Sequence, residues 1–155
     1  MRHVKVSLVD LQVSESAGLH ESAEVMRAVG KALFGSFLTA KPALLEPIYK
    51  TTISVPLELV GECERIMAAR RGRIALFEDQ GLLAAITGFV PVAESFGLSR
   101  ELRSATSGRA FWQSSLECWE RVPDNLTTEI VAGIRSRKGL PSSVPKPEVF
   151  LEAER

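Results

Sequence analysis

The sequence predicts an α+β protein organised around a ferredoxin-like β-α-β-β-α-β domain with an antiparallel sheet. Two observations carry that expectation. Between Tyr49 and Trp119, period-two and helical-period stretches follow one another in the order strand, helix, strand, strand, helix, strand. Each change of period falls at a chain breaker: Pro56, Gly72, Gly81, Pro91 and Gly108. A third observation bounds the class. With 155 residues, 45% of them hydrophobic and 25% charged, the chain has the composition of an ordinary folded protein, large enough for a core without disulfides or metal.

Taken in order, residues 3–13 alternate Val4, Val6 and Leu8 with a slip to Val9, Leu11 and Val13, which predicts a strand with a bulge at Leu8 and Val9. Ser14 to Ser22 reads as a loop leading into a helix. Glu21 and Glu24 stand in its first turn, and Met26, Val29, Leu33, Phe37 and Leu38 form its apolar stripe, which ends before Pro42. Ala43 to Pro47 reads as a connector. Tyr49, Thr51, Ile53 and Val55 then share one face of a strand, and Pro56 opens a helix whose inner stripe is Leu59, Val60, Cys63, Ile66 and Met67.

Arg73 to Glu78 and Leu82 to Val90 are predicted as a hairpin across Asp79-Gln80-Gly81. A helical segment with Phe96 and Leu98 follows Pro91. Ser99 is the expected cap of a helix over Arg100 to Thr106, closed by Gly108. The last strand, Arg109 to Trp119, is expected to hold Ala110, Trp112, Ser114, Leu116 and Cys118 on one face. Leu126 to Lys138 and a short stretch from Glu148 read as helices. The predicted organisation is 1–46 as a truncated strand-loop-helix segment, 47–123 as the ferredoxin-like domain and 124–155 as a C-terminal helical extension.

Chemistry is largely absent from the pattern. The only Gly-Lys pair, Gly30-Lys31, precedes Ala32 inside an amphipathic helix, so no phosphate-cradling loop is present. His3 and His20 belong to no ligand set, Cys63 and Cys118 have no metal spacing, and no nucleophile triad assembles. The expectation is a non-enzyme with reduced cysteines and no cofactor or metal. No apolar run approaches the ~18 residues of a membrane span, and the N-terminus lacks a signal-peptide core, so a cytoplasmic protein without membrane contact is expected.

Lys plus Arg equals Asp plus Glu at 19 each, which excludes a bulk polyanion binder and leaves local patches. Arg70, Arg71 and Arg73 form one such cluster, and Arg135, Arg137 and Lys138 another. Two readings stand for both: complements to a helix C-terminus or simply a solvated face, or phosphate contacts with RNA. The third strand, Leu82 to Val90, offers Phe89 as its only aromatic, so the stacking signature of an RNA-recognition motif is absent.

Four stretches resemble the C-terminal portion of elongation factor 2 and, more distantly, elongation factor G. These are Leu38-Thr-Ala-Lys-Pro-Ala-Leu-Leu-Glu-Pro47; Val55-Pro-Leu-Glu-Leu-Val-Gly61 with Arg70-Arg-Gly72; Val90-Pro-Val-Ala-Glu-Ser-Phe-Gly97 running on to Glu101-Leu-Arg-Ser-Ala-Thr-Ser-Gly-Arg-Ala-Phe111; and Arg137-Lys-Gly-Leu140 with Pro147-Glu-Val-Phe-Leu151. The resemblance implies the end of a fourth domain, a fifth domain, and the tail of the archaeal and eukaryotic branch. It implies contact with the ribosome, through ribosomal RNA and protein at the stalk base, and GTP hydrolysis only in domains that this chain does not contain.

Two departures qualify it. In the archaeal and eukaryotic factors the tip loop carries a histidine modified to diphthamide. That position falls on Leu19 in the loop Gly18-Leu19-His20, and Glu21-Ser22 does not restore the surrounding pattern around His20, so the modified residue is expected to be missing. The fourth-domain segment is also short. Its uncovered strand and helix leave three ways of completion: homodimerisation, packing on the second domain, or docking on the ribosome. The implied function is a non-GTPase, ribosome-binding homologue; the alternatives are a protein-interaction module acting off the ribosome and a fragment of a full GTP-dependent translocase.

Overall fold

The computed structural model describes residues 4–11 and 22–151, and they divide into two units. Leu44–Asn125 is one; the described residues up to Ala43, which include the helix α1 (Ser22–Thr39), together with those from Leu126 onward form the other.

The Leu44–Asn125 unit is the ferredoxin-like fold. β1 (Leu45–Pro56) leads through a 3-10 turn, Leu57–Leu59, into α2 (Val60–Ala69); β2 (Arg73–Asp79) and β3 (Leu83–Pro91) form the hairpin; α3 (Leu98–Ala105) and β4 (Phe111–Arg121) complete it. All neighbouring strands are antiparallel, in the order β2-β3-β1-β4. Ile53 and Val55 of β1 and Ile86 and Val90 of β3 face Cys63, Ile66 and Met67 of α2 and Leu98 and Leu102 of α3, giving one core on the helix side of the sheet. The hairpin turns at Gly81, whose φ of 88° suits a residue without Cβ and whose amide donates to Asp79 Oδ1 at 2.8 Å.

β1 begins at Leu45, four residues before the expected Tyr49. Pro47, which was the end of the expected connector, lies inside it. From Leu45 to Pro47 the strand pairs only with β4; β3 joins at Ile48, opposite Pro91. A proline is tolerated where one side of the strand has no ladder to feed.

Two further expectations are corrected. Ser99 does not cap α3: the helix starts at Leu98, so Ser99 already lies in its first turn, and Gly97 at φ 80° holds the capping position with no side-chain hydrogen bond. Cys118 does not share a face with Leu116. Leu116 pairs with Tyr49 and Cys118 with the adjacent Ile48, so Glu117 is an extra bulge residue and the alternation flips.

In the other unit, α1 packs against α5 (Glu148–Leu151), with the Phe34 and Phe150 rings 5.8 Å apart. The preceding helix, α4 (Asp124–Arg137), begins at the boundary between the units and is followed by Gly139 at φ 69°. The strand expected over residues 3–13 does not form in the described part, 4–11. Alternation is not sufficient for a strand; the backbone needs a ladder, and all four strands of the sheet belong to the Leu44–Asn125 unit. Val6, Leu8 and Val9 remain exposed, as do Met26 and Val29 of α1.

Candidate nucleic-acid interface

The first basic cluster forms at the end of α2, where the chain closes in a Schellman turn. Gly72 N donates to Met67 O at 2.8 Å and Arg71 N to Ala68 O at 3.2 Å. Arg71 occupies the left-handed position usually given to glycine, at φ 54°. Gly72 is needed for a different reason: a Cβ there would lie 2.6 Å from the Met67 carbonyl oxygen.

All three guanidiniums of this cluster are engaged inside the domain. Arg70 donates to Glu101 Oε2 at 3.0 and 2.7 Å, and its Nη1 to the Glu94 and Phe96 carbonyls at 2.6 and 2.9 Å. Its side chain is 19% exposed. Arg71 forks onto Glu46 of β1 at 3.1 and 2.6 Å and reaches Glu94 at 3.3 Å, which compensates its backbone conformation. Arg73 lies 5.3 Å from the Phe89 ring centre and crosses the sheet to both carboxylate oxygens of Glu120. Hydrogen bonding to these carboxylates raises the pKa of Arg71 and Arg73, and the same bond from Arg73 holds Glu120 below its ordinary value. Of the two readings left open for this cluster, the geometry favours an internal one, and the partners are carboxylates more than the helix end.

The second cluster belongs to the other unit. Arg135 Nε donates to Pro141 O at 2.6 Å, whereas Arg137 and Lys138 are exposed and carry no ion pair among the described residues. Gly18, Leu19 and His20 lie outside the described residues.

A cationic face missed by the sequence reading lies on α3. Leu98 and Leu102, one turn apart, are buried, and this places Arg100 and Arg103 outward beside Ser99 and Ser104. Neither arginine has an ion pair among the described residues. The element beneath them is firmly held: buried Thr106 donates to Leu102 O at 2.7 Å and accepts from Ala110 N at 3.1 Å, tying the helix to β4. Gly108 N closes onto Arg103 O at 2.8 Å, and Arg109 is taken by Glu58 at 2.7 Å. The signal was present in the four-residue spacing of the two leucines, which fixes the outward side. Among the described residues no cluster of His, Cys, Asp or Glu could hold a metal, and no helix is long and apolar enough to cross a membrane.

The described thiols are free. Cys63 is buried and its pKa is raised by desolvation; Cys118, beside Glu120 at 3.6 Å, is raised by desolvation and by that carboxylate.

Comparison with known proteins finds the sequence similar to translation elongation factors. The chain is similar to elongation factor 2 of Sulfurisphaera tokodaii, 43% identical over 151 residues, covering 97% of this chain and 20% of the relative. Elongation factor 2 of Korarchaeum cryptofilum is 39% identical over 150 residues, 96% of this chain and again 20% of the relative. The chain thus spans about a fifth of the length of these curated relatives. A crystal structure of a Thermus thermophilus protein superposes with a TM-score of 0.56 at 32% identity, covering 63% of this chain and 14% of that one. The family described as elongation factor G C-terminus matches residues 43–130, the whole ferredoxin-like unit, and the chain belongs to that family.

Proposed function

We propose that this chain is a cytoplasmic, ribosome-binding homologue of the translation elongation factors that has no GTPase activity of its own and sets the Arg100–Arg103 face of α3 against ribosomal RNA at the stalk base. The observation that carries the reading is the division of charge within one domain. Arg70, Arg71, Arg73 and Arg109 are spent on internal carboxylates, and Arg100 and Arg103 stand free on a rigid, serine-flanked helix face. Unpaired guanidiniums on such a face are suited to phosphate oxygens. Arg137 and Lys138 offer a second free pair in the other unit.

Co-sedimentation with ribosomes tests this. Binding is expected to weaken as salt rises, and Arg100→Ala with Arg103→Ala should reduce the slope of log affinity against log salt by roughly 1.5. Free migration of the protein in low-salt gradients of its own cell's lysate would sink the proposal. A second reading, that the chain is a portion of a GTP-dependent translocase, is favoured by its coverage of only 20% of its relatives. Sequencing the gene upstream of Met1 decides it.

A further inference from the structure

The sheet has a second face, opposite α2 and α3, and we infer that it is a binding trough for single-stranded RNA, independent of the α3 contact. Register places Lys50, Thr52 and Ser54 of β1 on this side, with Thr87 and Phe89 of β3 and Phe111, Gln113 and Ser115 of β4 beside them. Lys50, Thr52, Gln113, Ser114 and Ser115 line a depression along the β1–β4 junction. Its floor is hydroxyl and amide, with Thr52 and Thr87 Oγ1 atoms 3.3 Å apart, so it is unsuited to an apolar helix or a protein core.

Two groups point to a nucleic acid. Lys50 is exposed and has no ion pair among the described residues, so it is a free cation in the trough, with the exposed Glu117 of the β4 bulge lying beyond the Lys50–Ser115 row. Phe111, opposite Ser54, is 74% exposed, with its ring free at the trough's end. Four residues of strand, about 13 Å, separate the rows of Lys50 and Phe111, a span of a few nucleotides. A base stacked on Phe111 would place its chain along hydroxyl and amide groups toward a cation for phosphate. Phe89 is not the platform, because Arg73 covers it on its way to Glu120. Glu78 shares this face but lies at the β2 edge, two strands from β1. The stacking residue therefore sits on the outer strand β4, away from the strand where an RNA-recognition signature is sought.

The test uses the full chain, isotopically labelled and titrated at low salt with a single-stranded RNA octamer of mixed sequence. Amide shifts are expected at Lys50, Thr52, Phe111, Gln113 and Ser115. Phe111→Ala should weaken binding about tenfold while Phe111→Trp retains it, as sequence-tolerant stacking requires. Lys50→Glu should abolish binding. The chain carrying Arg100→Glu and Arg103→Glu, impaired on ribosomes if the proposed function holds, should keep the trough shifts. Absent shifts, shifts confined to α3, or an unchanged affinity in Phe111→Ala overturn the inference.

Discussion

Replacing Arg70 with alanine separates a structural arginine from an RNA ligand. The side chain makes two hydrogen bonds to Glu101, which is 42% exposed and regains water when the partner leaves, so that pair is worth no more than a surface ion pair, up to about 1 kcal/mol. The bonds to the Glu94 and Phe96 carbonyls matter more, because they tie α2 to the segment that leads into α3 and the Glu94 bond is part-buried, at about 1 kcal/mol each. The sum is about 2–3 kcal/mol for Arg70→Ala. Arg70→Lys, which cannot span both carbonyls and the carboxylate, should recover less than half of it. Arg100→Ala, exposed and unpaired, should stay within about 0.5 kcal/mol. Urea unfolding followed by tryptophan fluorescence reads this domain alone, since Trp112 and Trp119 both lie within Leu44–Asn125. An Arg70→Ala protein that unfolds at the wild-type midpoint but no longer binds ribosomes would refute the reasoning and return Arg70 to the RNA.

Gly72→Ala should cost about 2–3 kcal/mol, since its methyl meets the Met67 carbonyl, which cannot move without opening the α2 turn; the same unfolding curves measure it. Arg73 lowers the pKa of Glu120, so their pair contributes stability above the ordinary carboxylate pKa that is lost as pH falls through the depressed value. Glu120→Gln should flatten the acid limb of a plot of unfolding midpoint against pH, and an unchanged limb would exclude the pair as its source. Cys118 should react with a thiol reagent well before Cys63, which is fully buried and should be modified at the rate of unfolding. The raised pKa of Cys63 adds stability present below the ordinary thiol pKa and lost as pH rises through its folded value.

The β-α-β-β-α-β order was legible because each element carries its own period within ten or so residues. What escaped was whatever depends on a distant neighbour. The alternation of Val4, Val6 and Leu8 announces a strand, but only a paired backbone makes one. The bulge at Glu117 moves Cys118 to the other face without any mark in the local sequence. The basic cluster at Arg70, Arg71 and Arg73 looked available because its carboxylates lie 23 to 47 positions away, at Glu46, Glu94, Glu101 and Glu120. The free arginines of α3 were overlooked for the converse reason: they adjoin no other basic residue and so made no visible run.

The two units also differ in when they can be completed. Leu44–Asn125 is continuous, so every residue of its core has been synthesised once Val122 has emerged. The other unit is split by that insertion, and Phe34 must wait for Phe150 before their rings can meet. On a translating ribosome the sheet can therefore be finished while α1 still shows its apolar stripe. A nascent chain stalled between Asn125 and Phe150 would carry a protease-resistant centre and a digestible amino-terminal helix.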